Sequence, residues 1–319
     1  MVRSALARHP FARLAFSRLA QGVVVLFGAL LVCFALSAAT GDPADALTVG
    51  QIGADSAQID ALRDHLGYGD PFLTRLGDFF AHALQADFGS SYRTGGDALG
   101  AVLAALPNTL LLVACALTLA ISLAIVLALI SVMHRNRAAD RSIRGALALV
   151  QGVPDFWLAV MLVLLFSVTL GWLPAIGFDG PRSLILPTLA LAIPVLPTFV
   201  RLMRGNLLDV MKLDFVTSVR AKGLGERDVV LRHAVRNALP PLITFTALQV
   251  GWLVGGTIIV ETIFAWPGIG NLAVDAVKAR DVGVVQAVVA VTALSYVLLN
   301  LVADLLVAAA DPRIRMVPA

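Results

Sequence analysis

Apolar residues are concentrated in six long stretches that polar segments separate. The stretches cover residues 19–39, 98–133, 145–178, 183–200, 237–260 and 282–303, the last continuing past Asp304 to residue 310. A helix needs about 20 predominantly apolar residues to cross the roughly 30 Å hydrocarbon core of a bilayer, with some latitude in length. The pattern therefore predicts an all-α integral membrane protein with six transmembrane helices.

The composition supports this class. Of the 319 residues, 59% are hydrophobic and 14% are charged, and the mean hydropathy is +0.87, whereas soluble domains carry about a quarter charged residues. Cys33 and Cys115 lie inside apolar stretches, so we expect buried thiols and no disulfide or metal framework. The basic residues lie at the ends of apolar stretches and do not form one stripe, so nucleic acid is not expected as a partner.

The distribution of Lys and Arg predicts the orientation. With six spans, 18 of the 24 basic residues fall on one side of the membrane. Basic residues near span ends are retained in the cytoplasm, so both termini are predicted to be cytoplasmic. The sequence Ser-Ala-Ala at residues 37–39 loosely resembles a signal-peptide cleavage site, but the long lead and the long apolar run favour an uncleaved first helix.

The segment between the first two spans, residues 40–97, is acidic, with nine aspartates and three arginines. Turn-forming residues open it, and residues 56–66 are predicted to form a short helix. The segment is either a solvated cap or a platform for a partner or a substrate entrance. The sequence favours neither.

A polar loop, residues 201–236, follows the fourth span on the predicted cytoplasmic side. Leu208, Met211, Phe215 and Val219 recur there at helical spacing and predict one apolar stripe. Glycines interrupt the pattern at Gly223 and Gly225, and a second helical pattern follows. The spacing predicts a helix, a break and a helix. A basic amphipathic helix can lie on lipid headgroups, but this loop also holds four acidic residues. The mixture favours docking into a groove of a partner protein.

Three acidic residues fall within or at the ends of the apolar stretches: Asp155, Glu261 and Asp304. Such groups either serve a substrate or proton pathway or pair with neighbouring helices. Pairing is the preferred interpretation for Asp304 and Asp155. Glu261 stays open because Trp266 and Pro267 follow it in a turn near the outer face, so the candidates for a pathway or gate are Asp155, Glu261, Trp266 and Pro267. The prolines of the fourth span indicate kinks, either static or moving. The five histidines lack ligand spacing, so no metal site is expected.

The stretch DFVTSVRAKGLGERDVVLRHAVRNALPPLIT at residues 214–244 resembles the EAA loop of permease subunits of bacterial ATP-binding-cassette importers, in the dipeptide and oligopeptide branch. The likeness extends in order over nearly the whole chain, through GDP at 41–43, HLG at 65–67, DFGSS at 87–91, VPDFW at 153–157, ETIFAWPGIG at 261–270 and DPRIR at 311–315. One departure is that Thr217, Ser218 and Val219 stand where the family name has Glu-Ala-Ala.

The resemblance implies a MetI-like type I importer permease fold in the bacterial inner membrane. The chain would comprise an N-terminus with the first transmembrane helix (1–39), an extracytoplasmic loop or small domain (40–97), a five-helix permease core (98–310) and a cytoplasmic tail (311–319). The resemblance also implies which residues couple to an ATPase, because they match the family's loop. These residues are Asp214, Phe215, Arg220, Ala221, Lys222, Gly223, Leu224, Arg232 and His233.

The partners implied by the resemblance are a second, homologous permease subunit, two ATPase subunits, an extracytoplasmic binding protein and the lipid bilayer. The chain has no GxxxxGK[ST] phosphate loop, so it is not expected to be an enzyme or to hold a cofactor, and ATP and Mg would be bound by partner subunits. Short peptides are the implied substrate, with nickel or glutathione as alternatives. A proton-coupled carrier is less favoured because no inverted repeat is evident, and a membrane enzyme lacks a catalytic constellation.

Overall fold

The computed structural model describes residues 10–39, 71–91 and 95–310. The described residues form eleven α-helices, numbered here along the chain: α1 (Pro10–Ala39), α2 (Phe72–Leu84), α3 (Ala98–Met133), α4 (Ala138–Gln151), α5 (Asp155–Leu162), α6 (Ile185–Val210), α7 (Asp214–Ala221), α8 (Glu226–Asp228), α9 (Val235–Ile263), α10 (Ile269–Lys278) and α11 (Val282–Ala310). A 3-10 turn (Pro181–Leu184) leads into α6, and π-helical turns follow α5 (Val163–Thr169) and α8 (Val229–Ala234).

Five helical runs are long and apolar enough to cross a membrane: Ala20–Ala38, Ala98–Met133, Pro181–Val210, Glu226–Ile263 and Val282–Val302. The sixth candidate is a bent pair, α4 with α5 and its π turn, whose axes differ by 102°. The all-α fold class with up to six spans is therefore confirmed. The side of the membrane that each end faces stays a prediction.

The third span differs from the expected single helix over residues 145–178. The helix stops at Gln151 and restarts at Asp155. Pro154 has no backbone N–H to donate, and proline disfavours helical backbone in the residue before it, so the chain bends there. The α-helix then ends at Leu162 and the π-helical turn after it ends at Thr169, short of the expected end at residue 178.

The fourth span is longer than the sequence pattern suggested. We expected the helix to end at residue 200, but α6 continues to Val210 because its apolar face continues to be buried, as Met203 and Leu207 show. Pro194 and Pro197 lie inside the helix, where neighbouring helices can compensate for the lost backbone hydrogen bonds.

The described residues divide into two compact units. The first contains residues 109–267 and the end of α11 from residue 298. Its core includes a row of fully buried alanines on α3 (Ala116, Ala120, Ala124 and Ala128). Small residues at four-residue spacing allow helices to approach closely within a membrane, where packing drives association. Phe199 of α6 and Phe245 of α9 meet edge to face at 5.1 Å in the same core.

The second unit contains residues 16–108 and 268–297. Aromatic contacts join α2 to α1: the ring centroids of Phe27 and Phe80 are 4.6 Å apart, and those of Phe34 and Phe79 are 5.2 Å apart. Gly22 of α1 lies so close to Val297 of α11 that an added Cβ would collide with the valine. The helix expected at residues 56–66 lies outside the described residues, and α2 is a helix that the sequence pattern did not indicate.

The DFGSS motif at residues 87–91 has a structural role within the second unit. The Ser91 hydroxyl donates to the buried carboxylate of Asp281, with 2.6 Å between the oxygens, in the turn before α11. Gly283 lies in the first turn of the same helix, and a Cβ there would be 2.7 Å from the carbonyl oxygen of Phe88. The motif therefore docks on the start of α11 through a polar contact and a close backbone approach.

Candidate functional site

The stretch that resembles the EAA loop, residues 214–244, begins with α7 and continues into α9. We call its first part, residues 214–234, the coupling segment. Val216 is fully buried, whereas Phe215 is 36% exposed. The buried face of α7 is thus displaced from the stripe that the sequence pattern indicated, in which Phe215 and Val219 lie together. The aromatic ring of Phe215 is left accessible at the surface of the chain.

A fixed turn joins the two limbs of the coupling segment. Gly223 has φ +83°, a left-handed conformation in which a side chain is strained. Across this turn the guanidinium of Arg220 donates twice to the Glu226 carboxylate, from Nε to Oε2 at 3.0 Å and from Nη2 to Oε1 at 2.7 Å. This hydrogen-bonded pairing raises the pKa of Arg220. This two-point contact stabilises the turn, which would be flexible if it depended on the glycines alone.

The second limb packs by its apolar residues. Val229, Val230 and Ala234 are buried, while Arg232 is exposed and pairs with Asp228 one turn earlier at 3.2 Å. The limb is π-helical from Val229 to Ala234 and continues without a break into α9. Such turns insert an extra residue into a helix and are frequent at functional sites.

The structure brings the nine sequence-predicted coupling residues into this one helix, turn and helix. Two of the nine, Leu224 and His233, are half-buried. The others are exposed at the surface of the chain, and they are Asp214, Phe215, Arg220, Ala221, Lys222, Gly223 and Arg232. The described chain therefore presents a mixed-charge surface with a buried apolar base, as a docking element requires.

Two of the gate candidates lie together near the end of α9. Glu261 is fully buried, and the Thr109 hydroxyl donates to its Oε1 at 2.7 Å. The backbone N–H of Trp266 donates to the Glu261 carbonyl at 2.8 Å, and its buried indole meets Phe178 edge to face with centroids 4.9 Å apart. Pro267 follows directly. This arrangement fixes the turn after α9.

Asp155 belongs to another element and is exposed in the first turn of α5. Asp304 is half-buried in α11. The structure therefore brings Glu261 and Trp266 into one set of contacts and places Asp155 at the bend of the third span. The roles of all four gate candidates stay predictions.

Asp140 and Arg204 form an ion pair that the sequence pattern did not indicate. Asp140 of α4 is fully buried and accepts from Nε and Nη2 of Arg204 on α6, at 3.2 and 3.1 Å. The Ser131 hydroxyl also donates to Asp140, and the Asn136 backbone N–H donates at 3.1 Å. The signal available was that Asp140 is the single acidic residue in the basic stretch 135–144.

An apolar cavity of about 320 Å³ lies between α3, α9 and α11 within the first unit. Nine of its ten lining residues are apolar. The tenth, Thr246, donates its hydroxyl to the Leu242 carbonyl at 2.8 Å. A peptide carries amides and charged termini that are costly to bury without partners. The cavity therefore does not suit a peptide.

These features define a multi-spanning helical membrane protein in which an exposed helix and a glycine turn lead from the fourth span into the helical run of the fifth. Residues 116–316 match the family described as binding-protein-dependent transport system inner membrane component. The chain belongs to this family, and it is a permease subunit of the inner membrane. The expected importer class and localisation are confirmed.

Similar proteins extend over most of the chain. It is 37% identical over 293 residues to the glutathione transport system permease protein GsiC of Salmonella typhimurium (strain LT2), which covers 91% of this chain and 94% of that protein. The protein of the same description from Escherichia coli (strain K12) is 37% identical over 277 residues, 86% of this chain and 89% of its own length.

A solved structure shares the fold. An inward-facing MetNI methionine ABC transporter chain aligns with a TM-score of 0.57 and 17% identity, over 66% of this chain and 96% of that chain. The likeness confirms the expected MetI-like fold.

Proposed function

We propose that this chain is the permease subunit of an ATP-driven importer for short peptides, with glutathione as the first substrate to test. The identity to proteins named as glutathione permeases, over most of both chains, carries the proposal. Glutathione is itself a tripeptide, so the peptide substrate suggested by the sequence and the relatives' printed name describe one chemical class. Nickel is the less supported alternative.

The proposed system contains a second, homologous permease, two ATPase subunits that bind the coupling segment, and an extracytoplasmic binding protein that delivers the substrate. Docking of the ATPases is supported by the apolar side chains exposed on and beside this segment. Leu213 is 50% exposed, Leu231 is 46% exposed and Phe215 is 36% exposed. Exposed apolar anchors within a charged surround are typical of interaction sites.

The docking role is tested by co-purification. The tagged chain carrying Phe215→Ala and Leu231→Ala is co-expressed with the ATPase subunits of the proposed system. Interface anchors contribute about 1–2 kcal/mol each or more, so recovery of the ATPases should fall at least about tenfold. Leu73→Ala is the matched control, because Leu73 is 77% exposed on α2 and belongs to a different element. Equal recovery from both variants would contradict the docking role.

The substrate is tested in cells that depend on this system for uptake. Deleting the chain should abolish accumulation of radiolabelled glutathione, and restoring it should return uptake. Labelled dialanine and nickel are measured in parallel. Uptake of nickel alone would contradict the peptide proposal, whereas uptake of dialanine without glutathione would narrow the substrate to ordinary peptides.

A further inference from the structure

The buried cluster of Ser131, Asp140 and Arg204 joins three elements. Ser131 lies in the last turn of α3, Asp140 in the first turn of α4 and Arg204 in α6. Nε of Arg204 donates to the Ser131 hydroxyl at 2.7 Å as well as to Asp140. Ser131 and Asp140 are fully buried, and the Arg204 side chain is 21% exposed.

The geometry of this cluster fixes the relative orientation of α4 and α6 as well as the distance between them. Two nitrogens of the planar guanidinium meet the two carboxylate oxygens, so a rotation of α6 relative to α4 breaks at least one contact. A point contact between flexible side chains would tolerate that rotation. Three apolar side chains at these positions would also hold the helices together, often as stably. They would not specify the angle between the helices in this way.

The position of Arg204 connects the cluster to the coupling segment. The helix α6 runs without a break from Arg204 to Val210, and α7 begins at Asp214. Asn206, half a turn beyond Arg204, donates from Nδ2 to the Ala238 carbonyl of α9 at 3.3 Å. A three-residue turn, in which the Leu213 N–H donates to the Val210 carbonyl at 3.1 Å, joins α6 to α7. Movement of the coupling segment therefore reaches Arg204 through this turn and the end of α6, which is tied to α3 and α4 through the cluster and to α9 through Asn206.

We propose that Asp140, Ser131 and Arg204 are positioning residues that carry movement of the coupling segment into α3 and α4, so that substrate transport stays tied to ATP hydrolysis. The inference rests on the proposed function, because it assumes that ATPase subunits drive the coupling segment. The cluster would thus serve the coupling of transport to ATP hydrolysis in addition to holding the helices together.

The decisive variants change the cluster without leaving a buried charge unpaired. The double variant Asp140→Leu with Arg204→Met removes both charges, a replacement that folded proteins usually tolerate. Arg204→Lys keeps the charge but loses the planar two-point contact. Gln151→Ala is the matched control, because it removes an exposed polar contact between α4 and α6, from Arg201 at 2.8 Å.

The complete importer is reconstituted in proteoliposomes, and ATP hydrolysis and uptake of labelled glutathione are measured together. Both cluster variants should hydrolyse ATP while the substrate imported per ATP falls about tenfold, and the control should keep the wild-type ratio. An assembled cluster variant with the wild-type ratio would overturn the inference. Should the double variant not assemble, Arg204→Lys decides alone. A wild-type importer that takes up no glutathione would count against the proposed substrate and not against the cluster.

A second readout does not depend on the substrate. Spin labels at Arg141 of α4 and Ser218 of α7, both exposed, report the distance between these helices by pulsed electron paramagnetic resonance. In the wild-type complex the distance should be the same without nucleotide and with ATP, because the helices move as one body. In a cluster variant it should change. Identical behaviour of wild type and variant would refute the positioning role.

Discussion

Replacing Gly223 by alanine should disturb the shape of the coupling segment through the backbone alone. Gly223 has φ +83°, and an added Cβ would have no heavy atom within 4 Å. The cost is therefore the strain of a left-handed conformation, about 1–2 kcal/mol for a residue other than glycine. The Arg220 and Glu226 side chains are 39% and 60% exposed, so their pair opposes the strain by less than about 1 kcal/mol.

The strain energy is at least as large as the stabilisation that the Arg220–Glu226 pair provides. An appreciable fraction of the alanine variant should therefore lose the turn. A partner that binds the native shape would then bind more weakly, by about 5- to 30-fold for 1–2 kcal/mol. Gly223→Asn should lose less, because asparagine enters the left-handed region more readily. The assay is a titration of purified ATPase subunits onto the tagged chain in nanodiscs, read as a Kd.

Gly225 supplies the matched control for this prediction. It lies two residues further on, a Cβ there also meets nothing within 4 Å, and its φ is −64°, which alanine adopts freely. Gly225→Ala should therefore leave the Kd within about twofold, the scale of a surface substitution. The reasoning is refuted if the alanine variants at the two glycines bind the ATPase subunits equally well.

Three further predictions concern the rest of the chain. Gly283→Ala should lower thermal stability by about 1–3 kcal/mol because its Cβ meets a backbone oxygen, and Gly255→Ala, which has open space, should not; equal melting temperatures would contradict the contact. Gly22→Ala should destabilise the chain by a similar amount because its Cβ would collide with Val297 of α11, whereas a Cβ at Gly28 on the same helix meets nothing within 4 Å. The two alanine variants are compared by thermal unfolding in detergent. A fluorescent protein fused to the C-terminus should fluoresce, because the C-terminus is predicted to lie in the cytoplasm. A fusion that is made in full but does not fluoresce would contradict this orientation.

The sequence predicted the spans well where composition alone decides the structure. The second span was expected over residues 98–133, and the helix has those limits. The bilayer requirement for apolar length leaves few alternatives there. The bend of the third span was not foreseen, although Pro154 stood in the sequence, because an apolar stretch indicates burial in lipid and not straightness.

The fourth span shows a different limit of sequence reasoning. Polar residues after residue 200 suggested that the helix had ended, yet α6 continues to Val210 because one of its faces packs in the protein core. The same limit explains the missed pairing of Asp140 with Arg204. A basic residue near a span end fits the orientation rule on its own, and only the packed helices reveal that it faces a buried carboxylate.

The coupling segment was predicted in kind but not in detail. A helix, a glycine break and a second helix follow from spacing. The expected first helix, with Leu208, Met211, Phe215 and Val219 on one face, is however divided by a turn at residues 211–213. The brace between Arg220 and Glu226 depends on the angle of the turn, which spacing does not provide. The buried position of Val216 in place of Phe215 also depends on that angle, because a small rotation of a short helix changes which side chain meets the core.

We propose that this permease takes part in the import of short peptides, driven by ATP hydrolysis in partner subunits. The most direct measurement is uptake of labelled glutathione into proteoliposomes that contain the chain, its companion permease and the ATPases, with the binding protein outside and ATP inside. Accumulation should need both ATP and the binding protein. Uptake that continues without ATP and follows an imposed proton gradient would contradict it.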